Sequence, residues 1–180
     1  LHMIQNFAPA NLNRDDTNNP KDCEFGGHRR ARISSQALKR AIRYEPVFKK
    51  TTQVDIAERS KWMSRPIRNK LMAADKAEAI ATSVAVAFVN AYAASPDKKN
   101  PEKTNVLVDF SQAEIQTIVD GLLANWEDAV AAAQKAGTLP DLVKNLQKET
   151  KERTSAPDIA LFGRMLAEKT DLNLDAACQV

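Results

Sequence analysis

The chain has 180 residues, 43% of them apolar and 27% charged, with a net charge of +3, which is the composition of a globular domain of ordinary size and excludes low-complexity or fibrous classes. No apolar run approaches the ~20 residues that a bilayer-spanning helix needs, which excludes an integral helical membrane protein. Two cysteines, Cys23 and Cys178, and two histidines, His2 and His28, show no metal-ligand spacing, so a disulfide scaffold or zinc module is not indicated and a reduced, cytoplasmic setting fits.

The opening Leu1–Phe7 reads as a strand ended by Pro9, with His2 as a sheet histidine. Residues 10–24 are rich in Asn, Asp and Pro, a loop composition whose side chains bond their own backbone. In it, Asp15 and Asp16 are expected to cap the turn and orient Arg14; a divalent-cation loop would want further oxygen ligands at regular spacing.

The stretch from Phe25 to Arg43 organises the chain. Gly26 and Gly27 permit a tight backbone turn, which delivers the chain into a short strand of alternating basic and apolar residues and then a helix. Ser34 is the expected N-cap, and Ile33 and Leu38 occupy the positions of a hydrophobic staple. Helical spacing places Gln36, Lys39, Arg40 and Arg43 on one face, with Ala37, Leu38, Ala41 and Ile42 towards the other as the packing face. The net charge of the whole is modest, but from Arg29 to Lys50 the bases Arg29, Arg30, Arg32, Lys39, Arg40, Arg43, Lys49 and Lys50 face the single acid Glu45. Cations, serine hydroxyls and a helix N-terminus together make a chemically sensible seat for phosphate.

Beyond Arg43 the text turns helical. Tyr44-Glu45-Pro46 halts the basic helix, and helices are expected over about 54–62, from Pro66 at its first position to 73, and over 76–94, where Ile80, Val84, Ala87, Phe88, Ala91 and Tyr92 keep a 3.6-residue period. Trp62 reads as packing rather than base-stacking, and 95–101 as a mobile loop. A β-rich run, 105–110, leads to the capping box Ser111-Gln112-Ala113-Glu114 and a helix to about 125. Further helices follow over 126–136, stopped at Gly137, and over 139–153. Residues 158–165 read as a strand, and Asn173 or Asp175 as the cap of a last helix from Leu174.

Two separated motifs resemble a known family. Leu12-Asn13-Arg14-Asp15-Asp16, Lys21-Asp22, Phe25-Gly26-Gly27 and Arg32–Ala41 are similar to the amino-terminal signature of CasC, the Cas seven superfamily backbone subunits of type I-E CRISPR Cascade complexes, and Asp158–Met165 is similar to a second motif of that family. The resemblance implies an α+β fold with an RRM-like (ferredoxin-like) palm begun by residues 1–43, a large mainly helical, finger-like insertion over 44–154, and a return to the palm over 155–180. It also implies further strands and a thumb hairpin beyond this point, so the chain is read as an incomplete fragment of a longer protein.

For function, the resemblance implies a cytoplasmic subunit in antiviral defence that binds CRISPR RNA without sequence preference. It would assemble head-to-tail with copies of itself and with other Cascade subunits, and meet target DNA through the guide. The residues implied to line the RNA are Arg14, Asn18, Lys21, Arg30, Arg32, Ser34, Gln36, Lys39, Arg40, Arg43, Arg164 and Met165, with no catalytic residue, metal or cofactor. Arginine and lysine neutralise phosphate, while the thioether of Met165 packs against a splayed base. The competing class is an RNA-processing or target-cleaving ribonuclease. His28 beside the basic run, and Asp15, Asp16 and Asp22, would be its chemistry, but no second acid–base group stands at meaningful spacing from His28. A DNA-binding regulator is weaker still, because no helix-turn-helix precedes the basic helix.

Overall fold

The computed structural model describes residues 6, 8, 10–134, 140–150, 154–166 and 168–180. Apart from Asn6, the expected opening strand with His2 lies outside them, as does the expected helix stop at Gly137. The chain forms two compact units, residues 1–48 with Val180, and residues 49–179. Among the described residues the β-structure consists of two separate two-stranded antiparallel sheets, with isolated bridges besides; the rest is mainly helical, a mixed α/β architecture. No described helix is long and apolar enough to cross a membrane.

In the first unit, strand β1 (Asp22–Phe25) pairs with β2 (His28–Ala31), in the register Asp22 to Ala31, Cys23 to Arg30, Glu24 to Arg29 and Phe25 to His28. The expected turn and following strand are present, and the loop expected to last to Glu24 is shorter by this first strand. The reason lies in the turn. Gly26 and Gly27 have φ of +65° and +74°, the geometry of a two-residue hairpin turn whose twist matches antiparallel strands, so it templates pairing on both sides. A side chain at either glycine would meet no atom within 4 Å; the sign of φ, not space, requires glycine there.

Helix α1 (Ser35–Tyr44) begins as expected on Ser34, whose Oγ accepts from Ala37 N at 3.3 Å. It ends with Glu45 as the C-cap. The expected packing face is corrected: Leu38 is 41% and Ile42 39% exposed, whereas Lys39 and Arg43 are half-buried. Long basic side chains can lay down their aliphatic stems, so amphipathic spacing tells that two faces differ without telling which is covered. Pro46 both stops α1 and opens α2 (Pro46–Thr52), since its fixed φ suits a first helical turn.

The second unit departs from expectation at its start. No helix occupies 54–62; Glu58–Ser60 is strand β3, paired antiparallel with β4 (Val108–Phe110). A pairing partner fifty residues away overrides local helical spacing. Helices α3 (Ser64–Ala73), α4 (Glu78–Tyr92), α5 (Gln112–Ala124), α6 (Trp126–Gln134) and α7 (Pro140–Thr150) follow close to the expected positions. Pro66 stands within the first turn of α3 rather than at its first residue. The core joins Ile67 and Leu71 of α3, Val84, Phe88 and Tyr92 of α4, Phe110, and Ile115, Ile118 and Leu122 of α5, all at most 1% exposed. Each such large side chain contributes ~1.5–3 kcal/mol through burial. Phe88 and Tyr92, one turn apart, stack with ring centroids 5.1 Å apart. Ile80, expected on the same face, is 39% exposed.

The motif at 158–165 is not a strand. Pro157–Phe162 forms helix α8, with Pro157 opening it and the carboxylate of buried Asp158 accepting from Ala57 N at 2.8 Å. Gly163 ends the helix at φ +77°. Arg164 then bridges to Leu174 through N–H to O bonds of 3.0 and 2.9 Å. The helix expected from Leu174 is replaced by this bridge and by a short 3-10 turn at Thr170–Leu172. Asn173 does cap a backbone group, but across the bridge, accepting from Leu166 N at 2.6 Å.

The 95–101 segment is a built loop. Asp97 accepts from Lys99 N and Asn100 N, Asp97 N donates to Lys103 O, and Thr104 N and Ser64 Oγ tie the return limb to residues 61–64. Glu168 holds its base, accepting from Ser95 N at 2.8 Å and from the Asn105 amide. The Asn105 amide first, then the Ser95 hydroxyl and N–H, lower the Glu168 pKa to about 2. A carboxyl with a depressed folded pKa stabilises the fold above its unfolded value of 4.5 and loses that contribution as pH falls through the folded one. Glu168→Gln is therefore expected to flatten the acid limb of a stability profile measured between pH 4.5 and 2; an unchanged limb would remove Glu168 from the loop's support.

Candidate nucleic-acid interface

Elements of the first unit position most of the expected contacts. Ahead of β1 the chain turns at Asp15, whose Oδ1 accepts from Thr17 N at 2.9 Å, Thr17 Oγ at 2.8 Å and Asn19 N at 2.8 Å. These donors, the Asn19 N–H foremost and the Thr17 hydroxyl next, hold its pKa below the ordinary carboxylate value. Asp15 thus caps the turn as expected, but the residue that orients Arg14 is Asn18: Arg14 Nη1 donates to Asn18 Oδ1 at 2.8 Å. Asn18 has φ +69°, a conformation Asn tolerates better than most side chains. The turn closes with a bridge between Arg14 and Pro20.

Lys21 then continues the ladder, its carbonyl accepting from Arg32 N at 2.9 Å. This places Lys21 and Arg32 side by side. With Arg29, Asp15, Asn19, Pro20 and Asp22 they line an open hollow of about 630 Å³. Both acids in it are engaged elsewhere: Asp15 by its own turn, and Asp22 by Arg29, which donates from Nε at 2.7 Å and from Nη2. Among the described residues Lys21 and Arg32 make no ion pair, although Asp15 is near enough for the Lys21 charge to help lower its pKa, so the hollow sets three cations against two carboxylates.

Asn19 was not among the expected contacts, and Arg29 was expected only as one of the bases of the 29–50 stretch that neutralise phosphate. The signal for Arg29 was available: a two-residue Gly-Gly turn sets Asp22 opposite Ala31, which puts Arg29 diagonal to Asp22 on the same ribbon face. Arg30 alternates to the other ribbon face, beside Cys23, Phe25 and His28, and its Nε donates to Phe25 O at 3.0 Å.

On α1, Gln36 and Arg40 are exposed, and Arg40 lies over the Tyr44 ring at 5.1 Å. Lys39 and Arg43 are half-buried. Ser34 is 4% exposed and its hydroxyl is engaged as the helix cap, while its N–H donates to Asn13 Oδ1. Its oxygen serves as the cap, and the side chain is almost wholly covered.

The two expected contacts of the second unit differ sharply. Met165 is 84% exposed, as a base-packing thioether needs to be. Arg164 is inside. Its guanidinium, 2% exposed, donates from Nη1 to Glu114 Oε2 at 2.9 Å and Oε1 at 3.1 Å, and from Nε to Leu172 O at 3.0 Å. The Tyr92 hydroxyl completes the cluster, donating to Glu114 Oε1 at 2.9 Å. Arg164 in this structure is a core residue with no face turned to a phosphate. The capping box explains why Glu114 stands here: the Ser111 half forms, with Ser111 Oγ accepting from Glu114 N at 3.0 Å, but the Glu114 carboxylate turns to Arg164 instead of the cap.

The model of the CT1975-like protein family matches residues 1–180. The chain belongs to this family of Cas proteins. Comparison with curated proteins gives no match. The CT1975-like chain is similar to a chain of a solved structure titled "CRISPR RNA-guided surveillance complex", at 24% identity and TM-score 0.65 over 95% of this chain and 53% of that one. It is also similar to one titled "CRISPR RNA-guided surveillance complex, pre-nicking", at 28% identity and TM-score 0.64 over 93% and 46%. The chain thus spans about half the length of these solved chains.

Proposed function

We propose that this CT1975-like protein is a guide-binding backbone subunit of a CRISPR surveillance complex, of the type I-E CasC kind. It holds the CRISPR RNA by its phosphates and leaves the bases to pair with target DNA. The observation that carries the reading is the hollow of the first unit, where Lys21 and Arg32 converge beside Arg29 with both neighbouring carboxylates already engaged. An excess of cations over carboxylates in one hollow favours a polyanion, and a hollow lined by charges and backbone, without a shaped base pocket, favours phosphate over sequence.

In this reading the hairpin and α1 belong to an RRM-like palm, and Arg14, Asn18, Arg30, Gln36, Lys39, Arg40 and Arg43 extend the track. Met165 packs against a base. Copies join head-to-tail along the guide, a heterologous contact that propagates as a helix, and other subunits of the complex cap the array. The protein positions nucleic acid and performs no cleavage.

The test is binding of unrelated fluorescein-labelled single-stranded RNAs by the wild type and by Lys21→Ala/Arg32→Ala. Equal affinity across sequences is expected for the wild type, with the double variant about tenfold weaker on each. Sequence-dependent affinity, or cleavage of the RNA by the wild type, would overturn the reading.

A further inference from the structure

The second unit carries a basic cluster that the guide-binding reading does not use. Trp62, half-buried just before α3, has the Arg65 guanidinium over its ring at 3.3 Å from the centroid and the Lys103 ammonium at 4.6 Å. Lys61 lies beside them, its Nζ donating to Asn105 O at 2.7 Å. None of Lys61, Arg65 and Lys103 has an ion-pair partner among the described residues. Of the nearby acids, Glu102 pairs with Arg68 at 3.5 Å, and Asp97 accepts two backbone N–H groups of its own loop while also facing the charges of Lys61 and Lys103. That loop is pinned at both ends, as described above, and it holds Lys98 and Lys99 exposed beside the cluster. A flexible lysine run would need no such scaffold.

Gathering like charges around one indole costs repulsion that Asp97, near enough to feel Lys61 and Lys103, relieves in part and an outside anion relieves further. The ring face offsets part of that cost by cation–π attraction, worth ~0.5–1 kcal/mol per exposed cation, and keeps the cations fixed in place. An arginine stacked on an aromatic ring leaves its N–H edges free for a phosphate, and lysines at the loop tip extend the charge along a track.

We propose that this surface, formed by Lys61, Trp62, Arg65, Lys98, Lys99 and Lys103, is a second nucleic-acid site that binds the phosphate backbone of a strand without reading its sequence. It is independent of the hollow in the first unit and does not rest on the guide-binding reading.

The test uses the full chain carrying Trp126→Phe, so that Trp62 is the sole tryptophan, with a dT30 oligonucleotide as probe. Titration at low salt is expected to change Trp62 emission saturably. Lys98→Ala/Lys99→Ala/Lys103→Ala is expected to weaken that response at least about tenfold and to make its log–log salt slope shallower by about 2, at ~0.7 per single-strand phosphate contact, with an unchanged melting temperature. Lys21→Ala/Arg32→Ala is expected to leave the Trp62 response intact. The proposal is overturned if Trp62 emission ignores the oligonucleotide, if the triple variant binds like the parent, or if polyglutamate of equal charge binds as tightly as dT30.

Discussion

Replacing Arg164 with methionine is expected to destabilise the second unit by about 3–5 kcal/mol, the range for removing one partner of a buried ion pair. The side chains of Arg164 and Glu114 are 2% and 8% exposed, and the substitution leaves the Glu114 carboxylate in the core with only the Tyr92 hydroxyl as a side-chain donor. It also removes the donor that the carbonyls of Leu172 and Asp109 receive from Arg164 at 3.0 and 3.3 Å. Urea unfolding of the wild type, Arg164→Met, Glu114→Leu and the double variant measures it. The double variant should recover part of the loss, because a buried pair replaced by apolar groups no longer leaves a lone charge. A loss below about 1 kcal/mol for Arg164→Met would mean that the guanidinium is not inside, and would reopen its place in an RNA contact set.

Gly163→Ala is expected to cost about 3 kcal/mol or more in the same measurement. Gly163 sits at φ +77° and ψ 167°, a region that side-chain-bearing residues enter only at ~1–3 kcal/mol. A methyl group would also lie 2.8 Å from Leu174 O and 3.1 Å from Ala176 N. Leu174 is the bridge partner of Arg164, so relieving the clash pulls apart the contact that aims the guanidinium at Glu114. Gly26→Ala supplies the contrast: its φ of +65° belongs to a hairpin turn, a milder left-handed conformation, nothing stands within 4 Å, and about 1 kcal/mol is expected. Equal losses at the two glycines would show that neither the ψ of 167° nor crowding against 174–176 fixes the chain after α8.

These two sites mark where the sequence stopped being legible. Local rules were enough wherever the partner lay within a few residues. Gly26-Gly27 dictated the turn, Ser34 and Ser111 capped their helices, and the 3.6-residue spacing of Val84 and Phe88 found the core face of α4. They failed where a distant partner decided. Glu58–Ser60 is a strand because Val108–Phe110 is there to pair with it. The motif at 158–165 looks β-like by composition, yet Pro157 opens a helix and Asp158 reaches Ala57. The lysine-rich 95–101 loop reads as mobile because its ties, to Lys61, Ser64 and Glu168, come from residues 30 or more positions away.

The candidate site divides the same way. Lys21 and Arg32 were legible as basic residues flanking the hairpin, and their convergence follows from its register. The engagement of Asp15 in its own turn and of Asp22 by Arg29 needed the fold. So did the burial of Ser34 and Arg164, since a motif lists residue types without saying which of them serve the scaffold that presents the others.

The salt dependence of single-stranded RNA binding tests the central claim most directly, measured by fluorescence anisotropy on the wild type and on Lys21→Ala/Arg32→Ala. If the hollow tracks phosphate, log affinity falls linearly with log salt for every sequence, and the double variant has a slope shallower by about 1.4, at ~0.7 for each lost single-strand contact. A double variant with the wild-type slope and affinity would contradict the account, and would leave the hollow as a solvated turn.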